Sequence, residues 1–286
     1  VWLINTLCLW ISFLSLLYIS KYLSKTLRWE LRIIICLFIC LNAYTISMNR
    51  YALAESMLFA VFCLMVSVAV KLLKRPGNRS VILLSLLTIL IFIVHQRALS
   101  IVLATMILLL ALLLSKRILL KQGVMFAITF AFFFVILLLI KNNLQNVLWR
   151  EQGELANDFS VQISAATLLF SIDGIKSFIY ALISKTFAIG AAYFLLPFCF
   201  MIGFFKRGLQ LLKHKFNDMQ EKDFLYFYLG ISIIFALGVS AVFSMYPIRR
   251  DQIIYTRYNE YVVGPIILCV VIDLYNNKIK YKWNEF

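Results

Sequence analysis

Long uninterrupted apolar runs recur along the whole chain, and no other feature limits its fold so tightly. A helix needs about 20 apolar residues to cross a bilayer. Only helices and closed barrels can cross, because every backbone N–H and C=O must find a partner without water. A barrel would show short strands of alternating polarity; the runs here are continuous. Of the 286 residues, 63% are hydrophobic and 14% charged, whereas a soluble domain is about 45–50% apolar. The expected fold class is therefore all-α: a polytopic transmembrane helical bundle of about nine spans, with interfacial helices at its outer face. It forms a single transmembrane domain over residues 1–286.

The expected spans are residues 2–20, 33–49, 52–70, 80–95, 98–115, 123–140, 187–205, 224–245 and 261–275. Charge orients them. The formal net charge is +15, a balance that in a soluble protein points to nucleic acid. Here its location decides, because Lys and Arg stay on the cytoplasmic side of short connections. One set of alternate connections holds 19 of the 28 Lys and Arg residues, and the other holds 9. The richer set includes Lys21, Lys25, Lys74, Arg117, Arg207 and Lys222 and is assigned to the cytoplasm. Val1 then starts outside and Phe286 ends inside, in a multi-pass cell-membrane protein with a cytoplasmic C-terminus. The positive charge is topology, so nucleic acid is excluded as a partner. A chain starting outside implies an earlier helix, ahead of Val1, that enters from the cytoplasm.

Residues 141–186 are expected to form an extracytoplasmic loop whose apolar piece, Val161 to Ile172, lies on the membrane as one or two interfacial helices. The six cysteines (Cys8, Cys36, Cys40, Cys63, Cys199, Cys269) fall within apolar runs and read as buried thiols. His and Cys form no metal-ligand cluster, so no cofactor is expected. Carboxylates could hold a divalent ion, although nothing in their spacing demands one.

Charged groups beside spans are costly and tend to mark function. Arg50 precedes the third span, His95-Gln96-Arg97 the fifth, Lys185 the seventh and Arg257 the ninth. These helices all run inward, so their positive dipole ends share the outer face with a cation. A phosphate would reconcile the two, taking helix N–H groups and Arg forks together. Contact with lipid headgroups or snorkelling is the plainer alternative. Glu55, one turn into the third span, suits the dipole there, or faces an aqueous cavity and meets a sugar hydroxyl or Arg50. His95 reads first as an interfacial histidine, second as a catalytic group or phosphate contact.

Three stretches together resemble bacterial membrane glycosyltransferases of the GT-C superfamily, of the dolichyl-phosphate-mannose mannosyltransferase type. VWLINTLCLWISFLSLLYISKYLSK is similar to an early span with its basic turn. SMNRYALAESMLFAVFCLMV resembles the segment in which a Glu opens a span. RRDQIIYTRYNEYVVGPIIL resembles the Arg-Tyr motif ahead of the last span; beyond these three, KTFAIGAAYFLLPFCFMIG more weakly resembles a late span. The resemblance implies an active site at the outer face and inverting transfer of a sugar from a polyprenyl-phosphate donor. It implies that Arg249, Arg250 and Arg257 grip the lipid-linked phosphate. Tyr255, Tyr258 and Asn259 would stack on or hydrogen-bond the sugar, while Asp251 and Glu260 orient the arginines or bind hydroxyls. For Tyr255, Tyr258 and Tyr261 an interfacial belt is the plainer reading. The family's acidic catalytic base sits in the first outer loop, and the matching region would precede Val1.

The expected substrate- and phosphate-binding set is thus Arg50, Glu55, His95, Arg97, Arg249, Arg250, Asp251, Arg257, Tyr258, Asn259 and Glu260. The expected partners are a polyprenyl-phosphate-linked sugar and membrane lipid. Two other readings remain open: a polymerase, ligase or flippase of lipid-linked glycans, and a transporter. The latter favours polar or broken helices at the bilayer midplane, where these spans carry almost no charge.

Overall fold

A computed structural model describes residues 2–41, 53–148, 166–213, 219–245 and 259–280. Among the described residues are ten α-helices and no strand. In chain order they are α1 (Trp2–Leu23), α2 (Trp29–Cys40), α3 (Leu53–Lys74), α4 (Asn78–Val94), α5 (Leu99–Leu114), α6 (Leu120–Leu148), α7 (Ile172–Ala192), α8 (Leu196–Lys213), α9 (Glu221–Ser244) and α10 (Val263–Lys280). Short 3₁₀ turns cover Gln96–Ala98, Leu168–Phe170 and Glu260–Val262. Five helices are long and apolar enough to cross a membrane: Trp2–Leu23, Ala54–Lys74, Leu120–Ile140, Ile172–Ala192 and Glu221–Ser244.

Local chemistry starts and stops these helices. Gln220 and Asp223 close a reciprocal capping box on α9, with the Gln220 N–H donating to Asp223 Oδ2 at 2.9 Å. Ser171 Oγ accepts the Gly174 N–H at 3.0 Å and opens α7. Lys71 and Lys74 stand in the last turn of α3, where the dipole favours cations. Hydroxyls inside the apolar helices donate to their own backbone one turn back: Ser12 to Cys8 O, Thr88 to Leu84 O, Ser232 to Tyr228 O. A polar side chain can then sit in a dry interior with its donor satisfied.

Packing sorts the helices into core and rim. In α3, 78% of the most apolar stretch is buried; in α6, the corresponding share is 6%. The bared stripe of α6 (Leu120, Val124, Ile128, Phe132, Val135, Leu139) is 49–74% exposed. Such a surface is expensive in water and neutral in hydrocarbon. Helices approach closely where one side offers glycine. A Cβ on Gly264 of α10 would come within 2.6 Å of the Phe59 ring on α3, and one on Gly230 of α9 within 2.3 Å of the Phe204 ring on α8.

Side-chain contacts fix the directions. Lys74 lies over the Tyr22 ring and Ser67 donates to Ser15 O, so α1 and α3 run parallel. Gln122 reaches Asn78, Ser85 reaches Phe126 O, and Phe92 meets Phe134, so α4 and α6 run parallel the other way. At one end of the bundle Tyr22 meets Glu221, Ser24 meets Asn276, Arg117 donates to Met219 O and Arg207 pairs with Asp273. Arg97, Ser100, Tyr193, Phe243, Glu260 and Tyr261 gather at the opposite end. The first end carries the lysines and arginines that the sequence assigns to the cytoplasm.

The stretch expected as a seventh span, 187–205, is not one helix. Phe194 (φ 51°) and Leu195 (φ 62°) are left-handed, a conformation side chains adopt at a cost. They break the chain between α7 and α8. Lys185, expected at a helix mouth, instead lies within α7 with its side chain buried. Cys199 is exposed, while the other five cysteines are buried as expected.

The tight glycine contact gives a direct test. Gly264→Leu should destabilise the protein by about 1–3 kcal/mol through overpacking, lowering its thermal midpoint in detergent. Gly203→Ala, where a Cβ meets nothing within 4 Å, should leave the midpoint unchanged or raise it.

Candidate functional site

The end of the bundle opposite the basic one holds a layer of polar side chains that are unusually deep for an apolar protein. Glu55 stands in the first turn of α3 and is 7% exposed; Ser56 beside it is buried too. Asn259 is wholly buried and Glu260 nearly so, in the turn that leads into α10. Lys185 of α7 is 1% exposed, although a lysine is almost never fully buried without compensation. Arg97, in the turn between α4 and α5, is close enough to act on Lys185 electrostatically.

Each group is held by its neighbours. The Arg97 guanidinium lies 4.9 Å from the centre of the Phe243 ring at the end of α9. The Arg97 N–H donates to His95 Nδ1 at 3.1 Å. A neutral imidazole accepting there carries its proton on Nε2. His95 thus braces the turn, and its Nδ1 is engaged. Ser100 Oγ donates to Arg97 O at 3.2 Å, so Tyr261 OH, 3.2 Å from the same oxygen, is the donor in that pair. Tyr193 OH donates to Glu260 Oε2 at 3.0 Å. The break at Phe194 and Leu195 has a local consequence here: it turns the chain just past Tyr193, beside Glu260.

Below this layer the bundle closes. Tyr261 meets Phe62 edge-on at 6.0 Å, and Phe62 in turn meets Tyr228 at 6.2 Å. Thr105 spends its proton on Ile101 O, so Tyr228 OH donates to Thr105 Oγ1 at 3.1 Å. This aromatic and hydroxyl floor separates the polar layer from the helical core. Polar and cationic groups above it can bind an anion and sugar hydroxyls; an apolar floor keeps water from passing beneath.

Of the residues expected to bind substrate, Arg97, Asn259 and Glu260 are tied together through Ser100, Tyr261 and chain adjacency. Glu55 and His95 lie at the same end. Arg50, Arg249, Arg250, Asp251, Arg257 and Tyr258 lie outside the described residues. The structure adds Tyr193, Ser100 and Phe243, and it moves Lys185, read from the sequence as one of the cations at the helix mouths, into the body of α7. Tyr193 had no readable signal, because its role depends on the left-handed break that follows it. Among the described residues no group of three His, Cys, Asp or Glu side chains could hold a metal ion. No protein-family model, curated protein or solved structure matches the chain.

The Tyr193–Glu260 bond ties α8's approach to the mouth of α10. Tyr193→Phe should destabilise by about 1–3 kcal/mol, the usual cost of taking a donor from a buried charged acceptor. Thermal unfolding of the purified variant measures it. An additional Glu260→Gln substitution should recover part of the loss.

Proposed function

We propose that the protein is a membrane glycosyltransferase resembling the GT-C superfamily. It transfers a sugar from a polyprenyl-phosphate donor to an acceptor at the outer face of the cell membrane. The observation that carries this reading is the pairing of buried Lys185 with Arg97 at the end of the bundle opposite the basic one. Cationic groups within electrostatic reach of each other in a poorly solvated place suit the binding of a further anion, and a phosphate linked to lipid reaches such a place from within the bilayer.

In this reading Lys185 and Arg97, joined by Arg249, Arg250 and Arg257, hold the phosphate. They stabilise the charge that builds on it as the bond from anomeric carbon to phosphate oxygen breaks. Preorganised cations act most strongly where water is excluded. A phosphate leaving group needs that charge stabilisation more than it needs a proton. Glu55, Asn259 and Glu260 bind or orient hydroxyls of sugar and acceptor.

The directions of the helices support the membrane arrangement. α1, α3, α5, α8 and α10 run from the polar end to the basic end, and α2, α4, α6 and α9 run back. In this reading the chain crosses about nine times and ends in the cytoplasm, with α8 in the seventh crossing. α7, although long and apolar enough to cross, is assigned here to the extracytoplasmic side because Tyr193, just past its end, meets Glu260 at the polar end. Its bared apolar side (Ile172, Ile175, Ile179, Ile183, Phe187) is 46–74% exposed and suits lipid.

Transfer from radiolabelled polyprenyl-phosphate sugars by the full-length protein in membranes tests the proposal. Arg97→Ala and Lys185→Met should each lower the rate about 100-fold, the scale for removing one preorganised charge donor. Loss of transfer with an unchanged thermal midpoint is the supporting result. Absence of transfer across a broad donor panel refutes it. Polymer chains shortened to a single repeat unit in a deletion strain would point to a polymerase instead.

A further inference from the structure

The basic end of the bundle carries a second constellation that the proposed transfer does not use. A cavity of ≈440 Å³ opens between the C-terminal ends of α1 and α3 and the N-terminal end of α9. Lys21, Lys25, Lys74 and Lys222 line it, with Glu221 as the one carboxylate among its lining residues. The general excess of cations at this end does not explain the arrangement, because two of the four are fixed in place. Lys222 Nζ donates to Leu23 O at 2.8 Å. Lys74 Nζ stands 4.8 Å from the centre of the Tyr22 ring and 5.6 Å from that of Tyr18. Tyr22 OH is itself directed to Glu221 Oε2 at 3.4 Å, which steadies the ring. Like charges thus converge on one space and are held there before any ligand arrives. That arrangement is unfavourable alone and favourable around an anion.

The surface running into the cavity indicates what kind of anion. Leu3, Leu7, Trp10, Leu14 and Tyr18 recur at steps of three and four on α1, one face of a helix. All five are 40–67% exposed. Lys21 continues the same face at the cavity's edge. An apolar ridge that ends in an ammonium-lined cavity at one end of a membrane bundle matches the shape of a phospholipid. An acyl chain lies along α1 and the phosphate enters among the lysines. A free phosphate has no use for the ridge, and a zwitterionic headgroup brings its own cation to a space that already has an excess of them.

We propose that this cavity is a binding site for an anionic phospholipid of the leaflet at the basic end, with the lipid phosphate held by Lys21, Lys25, Lys74 and Lys222 and an acyl chain on the exposed stripe of α1. The site is separate from the polar layer at Arg97 and does not depend on what that layer does.

Native mass spectrometry of the purified protein in detergent tests it, with dioleoylphosphatidylglycerol, dioleoylphosphatidylcholine or inorganic phosphate added. The wild type should retain phosphatidylglycerol and release the other two. Lys25→Gln/Lys74→Gln should weaken phosphatidylglycerol binding roughly 10- to 30-fold, the scale for two cations beside an anionic lipid. The control pair Arg79→Gln/Lys121→Gln removes the same charge from residues that do not line the cavity and should change it by less than about two-fold, because solvent and salt screen exposed charges that do not touch the ligand. Lys25 is exposed, so its single substitution leaves packing intact and should give a smaller loss in the same direction. Equal losses in the cavity and control pairs overturn the proposal, because the binding is then non-specific attraction. Equal retention of phosphatidylcholine, or retention of inorganic phosphate as tight as that of the lipid, overturns it as well.

Discussion

A polar group surrounded by hydrocarbon has no water to fall back on, and that single condition organises this protein. The backbone meets it by becoming helix wherever the chain is apolar. Hydroxyls meet it by donating to the carbonyl one turn behind, as Ser12, Thr88 and Thr105 do. Larger polar groups are driven to the two ends of the bundle, where they make partners of one another. Among the described residues, one end is crowded with exposed lysines and arginines, and the other holds fewer groups, several of them deeply buried. The difference in burial, more than in number, is what makes the second end chemically interesting. Exposed cations at a membrane surface are ordinary. A lysine that is 1% exposed beside an arginine is not.

Much of this architecture was legible from the amino acids. Apolar run length located nearly every helix, since α1, α3, α4, α5, α6, α9 and α10 each overlie an expected span. Charge counting sorted the connections into two sets, and the contacts of Tyr22, Ser24, Arg117 and Arg207 do bring the richer set to one end. Among the described residues the departure lies between 172 and 213, where α7, long and apolar enough to cross, begins inside the stretch expected as a surface loop and α8 starts anew after residue 195. Lys185 and the apolar stretch before it fit a loop leading into a span, and nothing in Tyr193-Phe194-Leu195 resembles a breaker. Neither Gly nor Pro stands at the left-handed positions, but Pro197 follows in the first turn of α8, where a proline suits a helix start and cannot donate to the Tyr193 carbonyl, so α7 could not run on through it. In the structure Lys185 lies buried within α7 and Tyr193 stands beside Glu260.

The candidate site was legible by residue type and not by geometry. Arg97, Asn259 and Glu260 could be singled out as polar groups beside apolar runs. That Ser100 and Tyr261 join them, and that Phe243 carries the Arg97 guanidinium, depends on helices far apart in sequence. His95 reads first as an interfacial histidine, and in the structure its Nδ1 accepts the Arg97 N–H and so helps to shape the turn that presents Arg97. The two ends also divide the chemistry. The polar end offers enclosed cations and hydroxyl partners, suited to a reacting phosphate and sugar. The basic end offers an open cluster of ammonium groups at the foot of a lipid-facing ridge, suited to a resident headgroup.

The account rests on these two ends facing opposite sides of the membrane. Arg97→Cys and Lys121→Cys, each in a background lacking the native cysteines, can be exposed to a membrane-impermeant maleimide on intact cells. The account predicts labelling at position 97 before permeabilisation and at position 121 only after it. Labelling of both positions from the same side would contradict it.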